Sequence, residues 1–437
     1  MGETNIAGLL LRARGLGVLG GVLGAPVARD FVRLLGELAV PRPDAASVAE
    51  VFGRLWEGLA SETDRLLPDA WQSYLVGRLL GDENPFSLGA EGGGLCGAVL
   101  EQARLDLRTL RMLFELDAER LLGMVERAVP GLAGVWVPWT DPVGDEDSPR
   151  ITAARKLAAA SDWGGAAELL ADHFARHGAG PFGRHRAFRW DGGGLRAVPN
   201  PDPVRLDGLV AYEGEREPLV ENTRRFLEGL PAHHALLYGQ PGTGKSSTVK
   251  ALLNEYAGRG LRLVEVAKED LGSLPRVLGV LRGRGPRFVL FVDDLSFEEH
   301  EVEYKALKAL LEGSVEEPPG NVRVYATSNR RNLIRESFAD REDGEDVHAR
   351  DTMQEKQSLA ARFGLRLTFP PPDQGRYLRI VRGLAGERNL GLPDDRLVER
   401  ALLWDRWHAG RSGRTARQFV DELEAGLATE TRTTRPH

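Results

Sequence analysis

The sequence predicts an α/β fold: a five-stranded parallel sheet covered by helices, in the second half of the chain, behind an α-helical N-terminal domain. Three observations predict it. Short runs rich in β-branched and aromatic residues recur after Leu209, at 234–239 (HALLYG), 261–266 (LRLVEV), 287–294 (RFVLFVDD), 322–329 (VRVYATSN) and 365–369 (LRLTF). The segments between them are long enough for crossover helices, and such alternation gives a parallel sheet with helices on both faces. Residues 6–177 instead space their apolar residues three and four apart, as in VAEVFGRLWEGLA and LEQARLDLRTLRMLFELDAERLLGMVERA, the mark of amphipathic helices.

Taken in order, the helical region 1–177 is interrupted twice by glycine and proline, at GDENPFSLGAEGGGLCG and at VPWTDPVGDEDSP. Residues 178–208 change character. HRAFRWDGGGLRAVP alternates apolar residues around Gly192, Gly193 and Gly194, which predicts a small hairpin and then a linker. The α/β domain follows over 209–370. GRYLRIVRGLAGE, DDRLVERALLWDRWH and RTARQFVDELEAGLA predict a helical lid over 371–430, and 431–437 a frayed tail.

Bulk properties narrow the function classes. The 437 residues suffice for two or three domains, and a net charge of −7 excludes a polybasic nucleic-acid coat or membrane binder. The single cysteine, Cys96, cannot form an internal disulfide or a cysteine metal site; a reducing compartment and a small buried hydrophobe are the expectation. The apolar stretch 16–28 is too short and glycine-rich to span a bilayer, and MGETNIAGLL has no basic n-region, so the chain is expected to be cytoplasmic and without a membrane partner.

The phosphate chemistry begins at GQPGTGKS, residues 239–246, between the strand HALLY and the helix SSTVKALLNEYA. Gly239, Gly244, Lys245 and Ser246 satisfy GxxxxGK[ST] in its strand-loop-helix context. Glycines let backbone N–H groups curl round a β-phosphate at the positive end of the helix. Lys245 reaches the β and γ oxygens, and Ser246 is a ligand for Mg²⁺. The cradle is Gly239, Gln240, Pro241, Gly242, Thr243, Gly244, Lys245, Ser246 and Ser247, and the expected cofactors are ATP and Mg²⁺. An apolar strand ends in Asp293 and Asp294 some fifty residues on. Asp293 is placed to hold Mg²⁺ and Asp294 to orient or deprotonate the attacking water. Asn329 ends another strand, where a neutral amide bonds water or the γ-phosphate, although an asparagine there is also an ordinary turn residue. Arg362, before the last strand, and Arg414, near the start of a lid helix, are candidates to stabilise transition-state charge, against surface solvation as the alternative for any arginine.

These residues resemble the AAA+ superfamily of P-loop ATPases over roughly residues 205–425. The resemblance implies a sheet order of 5-1-4-3-2, with Asn329 as sensor 1, Arg362 as an arginine finger acting in a neighbouring subunit, Arg414 as sensor 2, and a homo-oligomer. LDGLVAYEGEREPLVENTRRFL is similar to the segment that lies against adenine, which makes Val210 and Tyr212 the adenine-contact candidates. ENTRRFL, GTGKSSTVKALLNEYA, DDLSFE, YKALKALLEG, YATSNRRNL and RFGLRL look like a bacterial AAA+ family known only as a domain of unknown function, number eight hundred and fifteen. Most AAA+ members end the acidic strand in Asp-Glu, whereas this chain has Asp293-Asp294. Rapid hydrolysis and use of ATP as a non-hydrolysed switch therefore both stay open, with ATP and ADP as ligands and the client, protein or nucleic acid, unspecified. A small-molecule kinase is the weakest reading, since sensor and finger residues would have no task there.

Other patterns carry less. His173 and His177 stand at i and i+4, a zinc-compatible spacing without a third ligand; surface histidines are the simpler reading. Arg184, Arg186 and Arg189 alternate with Phe188 and Trp190 in a way that suits single-stranded nucleic acid, but ordinary hairpin arginines suffice. The acidic stretch 338–351 is a solvated loop or a contact to a neighbouring subunit.

Overall fold

The computed structural model of the chain describes residues 6–143, 148–295, 302–312, 318–329, 359–408 and 410–433. It divides into two compact units, Met1–His185 with Gly283–Pro286, and Arg186–Arg282 with Arg287–His437.

The first unit is helical. Its longer helices are Pro26–Leu38, Ala45–Ser61, Ala70–Gly81, Gly97–Phe114, Ala118–Ala128, Pro149–Ala159 and Ala167–His177. Their starts are fixed by side chains that satisfy otherwise orphaned N–H groups: Asp44 accepts from Ser47, Asp69 from Gln72 and Asp117 from Arg120. The glycine-proline interruption after Asp82 is itself structured. Asn84 and Ser87 form a capping box and open the short helix Pro85–Glu91. At the centre of the core, Phe31 stacks on Trp71 with ring centroids 3.5 Å apart. The apolar stretch 16–28 packs into this core, with Leu19 and Val22 fully buried. The Asp106 carboxylate accepts the N–H groups of Gly17, Val18 and Leu19 at 3.1, 2.7 and 2.9 Å. Cys96 is exposed, not the buried hydrophobe expected, and stands at the N-cap position before the helix Gly97–Phe114 without a side-chain capping bond. Among the described residues no helix is long and apolar enough to cross a membrane.

The second unit is built on one sheet: β1 (Ala187–Trp190), β2 (Leu195–Ala197), β3 (Ala235–Gly239), β4 (Leu261–Val266), β5 (Arg287–Val292), β6 (Val322–Ser328) and β7 (Leu365–Phe369). The expectation of a five-stranded parallel sheet is corrected. The sheet has seven strands in the order β2-β1-β4-β5-β6-β3-β7, and it is mixed. The hairpin read as preceding a linker adds to the sheet: β1 pairs in parallel with β4 and antiparallel with β2. Without β1, the backbone groups along that side of β4 would have no ladder partner. The strands read from the sequence follow one another as β7-β3-β6-β5-β4. The residues of β4, β5 and β6 form near-continuous buried runs, as expected of strands covered on both faces, whereas β7 at the sheet edge alternates. The helices Gln374–Glu387, Asp394–Trp407 and Gly413–Thr433 follow β7, the last running further than the expected tail boundary.

His234, just before β3, ties two strands together: its Nδ1 accepts the Val324 N–H at 2.9 Å. Burial, then the nearby Arg323 and His233, lower its pKa to about 4. The unfolded chain therefore takes up a proton near pH 6.5 that the folded protein refuses until about pH 4, and stability falls as pH drops through that window. At pH 5 this amounts to on the order of 2 kcal/mol. Denaturant midpoints at pH 7 and pH 5 should show that loss in the wild type and a smaller loss in His234→Gln.

Candidate functional site

Parallel pairing brings the C-terminal ends of β5, β6 and β3 side by side, and each end carries a polar residue. β3 runs into the glycine-rich loop, which turns directly into the helix Lys245–Tyr256 with Gly244 left-handed at its N-cap. The Lys245 side chain is nearly buried. Its ammonium donates to the carbonyls of Gly239 and Gln240 at 2.8 Å each and to Asn329 Oδ1 at 3.1 Å. Burial lowers its pKa, with Asp293 and Asp294 acting in the opposite direction. Thr243 closes the loop on itself by donating to the Gln240 carbonyl at 2.9 Å. Gln240 and Pro241 are exposed on the outside of the loop.

Asp293 is a hub. Its Oδ1 accepts the Ser246 hydroxyl at 2.6 Å, the Thr327 hydroxyl and the Asp294 N–H. Thr327 Oγ1 also accepts the Asp294 N–H at 2.9 Å, and Asn329 donates its amide to Asp294 Oδ1 at 2.6 Å. Asp294 takes a left-handed backbone, φ 51°, which turns the chain sharply at the strand end. Lys245, Ser246, Asp293, Asp294 and Asn329 thus form one connected network. Ser246 and Asp293 offer hard oxygen donors within a hydrogen bond of each other, a set that suits Mg²⁺.

Beside this network lies a cleft of about 420 Å³, lined by Gly242, Gly244, Lys245, Ser246, Ser247 and Asp293 from the glycine-rich loop, its helix and the end of β5. Val210 and Tyr212 also line it, together with Leu209, Phe369, Ile380 and Leu384. The Tyr212 ring is mostly packed away: its hydroxyl donates to the Pro370 carbonyl at 2.7 Å and Arg376 covers its face at 4.3 Å. Arg414 lines the cleft from the start of the last helix, whose Gly413 N–H donates to the Gly242 carbonyl at 2.8 Å. Arg362 is half-buried just before β7 and is not part of the cleft lining.

Sequence reasoning missed several of these residues. Ile380 and Leu384 are one helical turn apart on Gln374–Glu387 and read as ordinary core positions. Arg417, one turn after Arg414, was detectable by its spacing. Thr327 carried no signal, since its role depends on β5 and β6 being neighbours. The set-aside patterns resolve structurally. His173 is buried beside Phe174, and no metal-binding group of His, Cys, Asp and Glu occurs among the described residues. Phe188 and Trp190 are buried, so their rings cannot stack on bases, and Arg189 pairs with Glu265 at 2.9 Å. The acidic stretch 338–351 lies outside the described residues.

Residues 183–427 match a protein family described as protein of unknown function (DUF815). A proteasome-activating nucleotidase of Methanocella arvoryzae is 27% identical over 165 residues, covering 32% of this chain and 40% of that protein. The replication factor C large subunit of Ignicoccus hospitalis is 34% identical over 80 residues, covering 17% of this chain and 16% of that protein. The structure of the RuvB Holliday junction branch migration motor of Thermotoga maritima aligns with a TM-score of 0.37 at 17% identity, covering 52% of this chain and 67% of that one. The chain therefore spans well under half the length of these curated relatives.

Gly239 marks how closely the loop is held. A Cβ there would lie 2.1 Å from the Phe369 carbonyl oxygen on β7, a backbone atom that cannot swing away. Gly239→Ala should therefore destabilise the second unit by more than about 2 kcal/mol, read as a lowered denaturant midpoint, whereas alanine at exposed Gly258 should cost nothing comparable.

Proposed function

Since the chain belongs to the DUF815 family and is an AAA+ P-loop protein, we propose that it hydrolyses ATP in a homo-oligomer and couples the cycle to remodelling or loading a client. The supporting observation is the network in which Lys245, Ser246, Asp293, Asp294 and Asn329 meet within hydrogen-bonding distance. On this reading the triphosphate lies along the loop, where Lys245 exchanges neutral carbonyl acceptors for phosphate oxygens and gains charge-assisted bonds. Ser246 and Asp293 would hold Mg²⁺, which would supply charge neutralisation at the phosphate oxygens. Leu209, Val210, Ile380 and Leu384 supply an apolar slot for the base.

Asp294 accepts a proton from the attacking water or orients it, and Asn329 fixes the carboxylate by its amide. Arg414 reaches the phosphates from the lid of its own subunit. Arg362 acts on the γ-phosphate of a neighbouring subunit. A second reading, a nucleotide switch with negligible hydrolysis, is favoured by one observation: the Asp294 carboxylate is already engaged by Asn329, on a side chain one methylene shorter than glutamate.

Steady-state turnover and nucleotide binding separate the two. Lys245→Ala should abolish both. Arg362→Ala should keep ATP binding and lose turnover by about 10³-fold or more, and mixing the two variants should restore part of it if the arginine acts across subunits. Wild-type turnover equal to Lys245→Ala, with tight ATP binding retained, rejects the hydrolase reading and selects the switch.

A further inference from the structure

The helix Ala70–Gly81 of the helical unit ends among three arginines that the nucleotide chemistry does not use. Arg78 is on the helix itself, Arg150 opens the helix Pro149–Ala159 and Arg184 ends Gly180–Arg184. Two of them lie close against glycines one turn apart. Arg184 packs so near Gly81 that a Cβ there would stand 2.6 Å from a guanidinium nitrogen, and Arg150 approaches Gly77, whose carbonyl it reaches at 3.4 Å. A side chain at Gly81 would displace the Arg184 guanidinium.

Among the described residues the three guanidinium groups face two carboxylates, Asp64 and Glu62. Asp64 binds Arg150 at 2.6 Å. Among the described residues no carboxylate is joined to Arg78 or Arg184, and the Nε atoms of Arg78 and Arg150 are buried without a hydrogen-bond partner. The other titratable groups facing the cluster are Tyr74, Glu62 and His185. Burial, then Arg150 and Arg78, lower the Arg184 pKa; burial, then Arg184 and Arg150, lower that of His185 and drive it toward its neutral form. Arginines gathered at one helix end repel one another, and two of them still have donors to offer.

We propose that Arg78, Arg150 and Arg184 form a binding site for a phosphomonoester dianion, separate from the nucleotide cleft. Asp64 and Glu62 leave one guanidinium charge over among the described residues, and a carboxylate would bring only two acceptor oxygens to it. A phosphoryl group near neutral pH carries close to two negative charges and three acceptor oxygens, to which planar guanidinium forks donate in pairs. The Arg184 side chain is exposed enough for a ligand to reach, while Arg150 is held in place by Asp64.

The test is titration of the full-length protein with inorganic phosphate, against acetate at matched ionic strength, followed by calorimetry and by the thermal midpoint. Phosphate should bind and stabilise the wild type and Lys245→Ala alike. Arg184→Gln and Arg78→Gln should each weaken that binding at least about tenfold, the loss of one charge-assisted contact. In phosphate-free buffer both variants should be as stable as the wild type, because each removes a like-charge neighbour. A response lost in Lys245→Ala but kept in the arginine variants would place the phosphate on the P-loop and overturn the proposal. So would equal stabilisation by acetate, or arginine variants that are unstable without phosphate.

Discussion

An ammonium group taken out of water must be given partners, and the nearly buried Lys245 ammonium fixes where the surrounding segments can go. Its acceptors come from two places far apart in sequence, the loop carbonyls of Gly239 and Gln240 and the side chain of Asn329. Only a sheet in which β3 lies beside β6 brings these together. Because β6 also lies beside β5, the same order delivers Thr327 to Asp293 and Asp293 to Ser246. The strand order and the site are one constraint, met at the C-terminal edge where crossover loops leave room for a ligand.

The loop that holds the lysine is also fastened to the lid. Gly413 donates to the Gly242 carbonyl, and Arg414 and Arg417 enter the cleft from the same helix start. Any ligand that rearranges the loop therefore changes a backbone bond to the lid, and any displacement of the lid withdraws cations from the cleft. Ile380 and Leu384 come from the neighbouring helix Gln374–Glu387, so the apolar lining is likewise shared between the sheet and the C-terminal helices. A nucleotide touching both parts would gain contacts only when they are together, which is the differential interaction that a conformational change requires.

Much of this was legible because it is local. The motif GxxxxGK[ST], the apolar strands and the helical periodicities all lie within windows of one or two elements, and they singled out Lys245, Ser246 and Asp293 as candidates without knowledge of pairing, while Asn329 stood out chiefly through the family resemblance. What depends on long-range pairing was not legible. The hairpin around Gly192 read as a hairpin, but its attachment to the open side of β4 has no sequence signature. Cys96 read as buried because of its residue type, whereas its place at a helix start decides its exposure. Thr327 has a role only once β5 and β6 are neighbours.

Backbone strain was equally invisible to periodicity, and it is concentrated at this site. Of the four non-glycine residues with left-handed backbones among those described, Ala211, Tyr212 and Asp294 adjoin the cleft or its acidic edge. Each costs about 1–3 kcal/mol and persists only where the surroundings over-determine it. The surroundings do so here. Arg216 donates to the Ala211 carbonyl at 2.6 Å, the Glu213 carboxylate accepts the Ala211 N–H, and Tyr212 is anchored to Pro370. Asp294 is held through its N–H by Thr327 and through its carboxylate by Asn329. These bonds fix the Ala211–Tyr212 segment at one part of the cleft and the second acid beside the glycine-rich loop. Strain stored at both ends of one cleft, and opposed by dedicated hydrogen bonds at each, is the pattern of a site whose geometry is set before its ligand arrives.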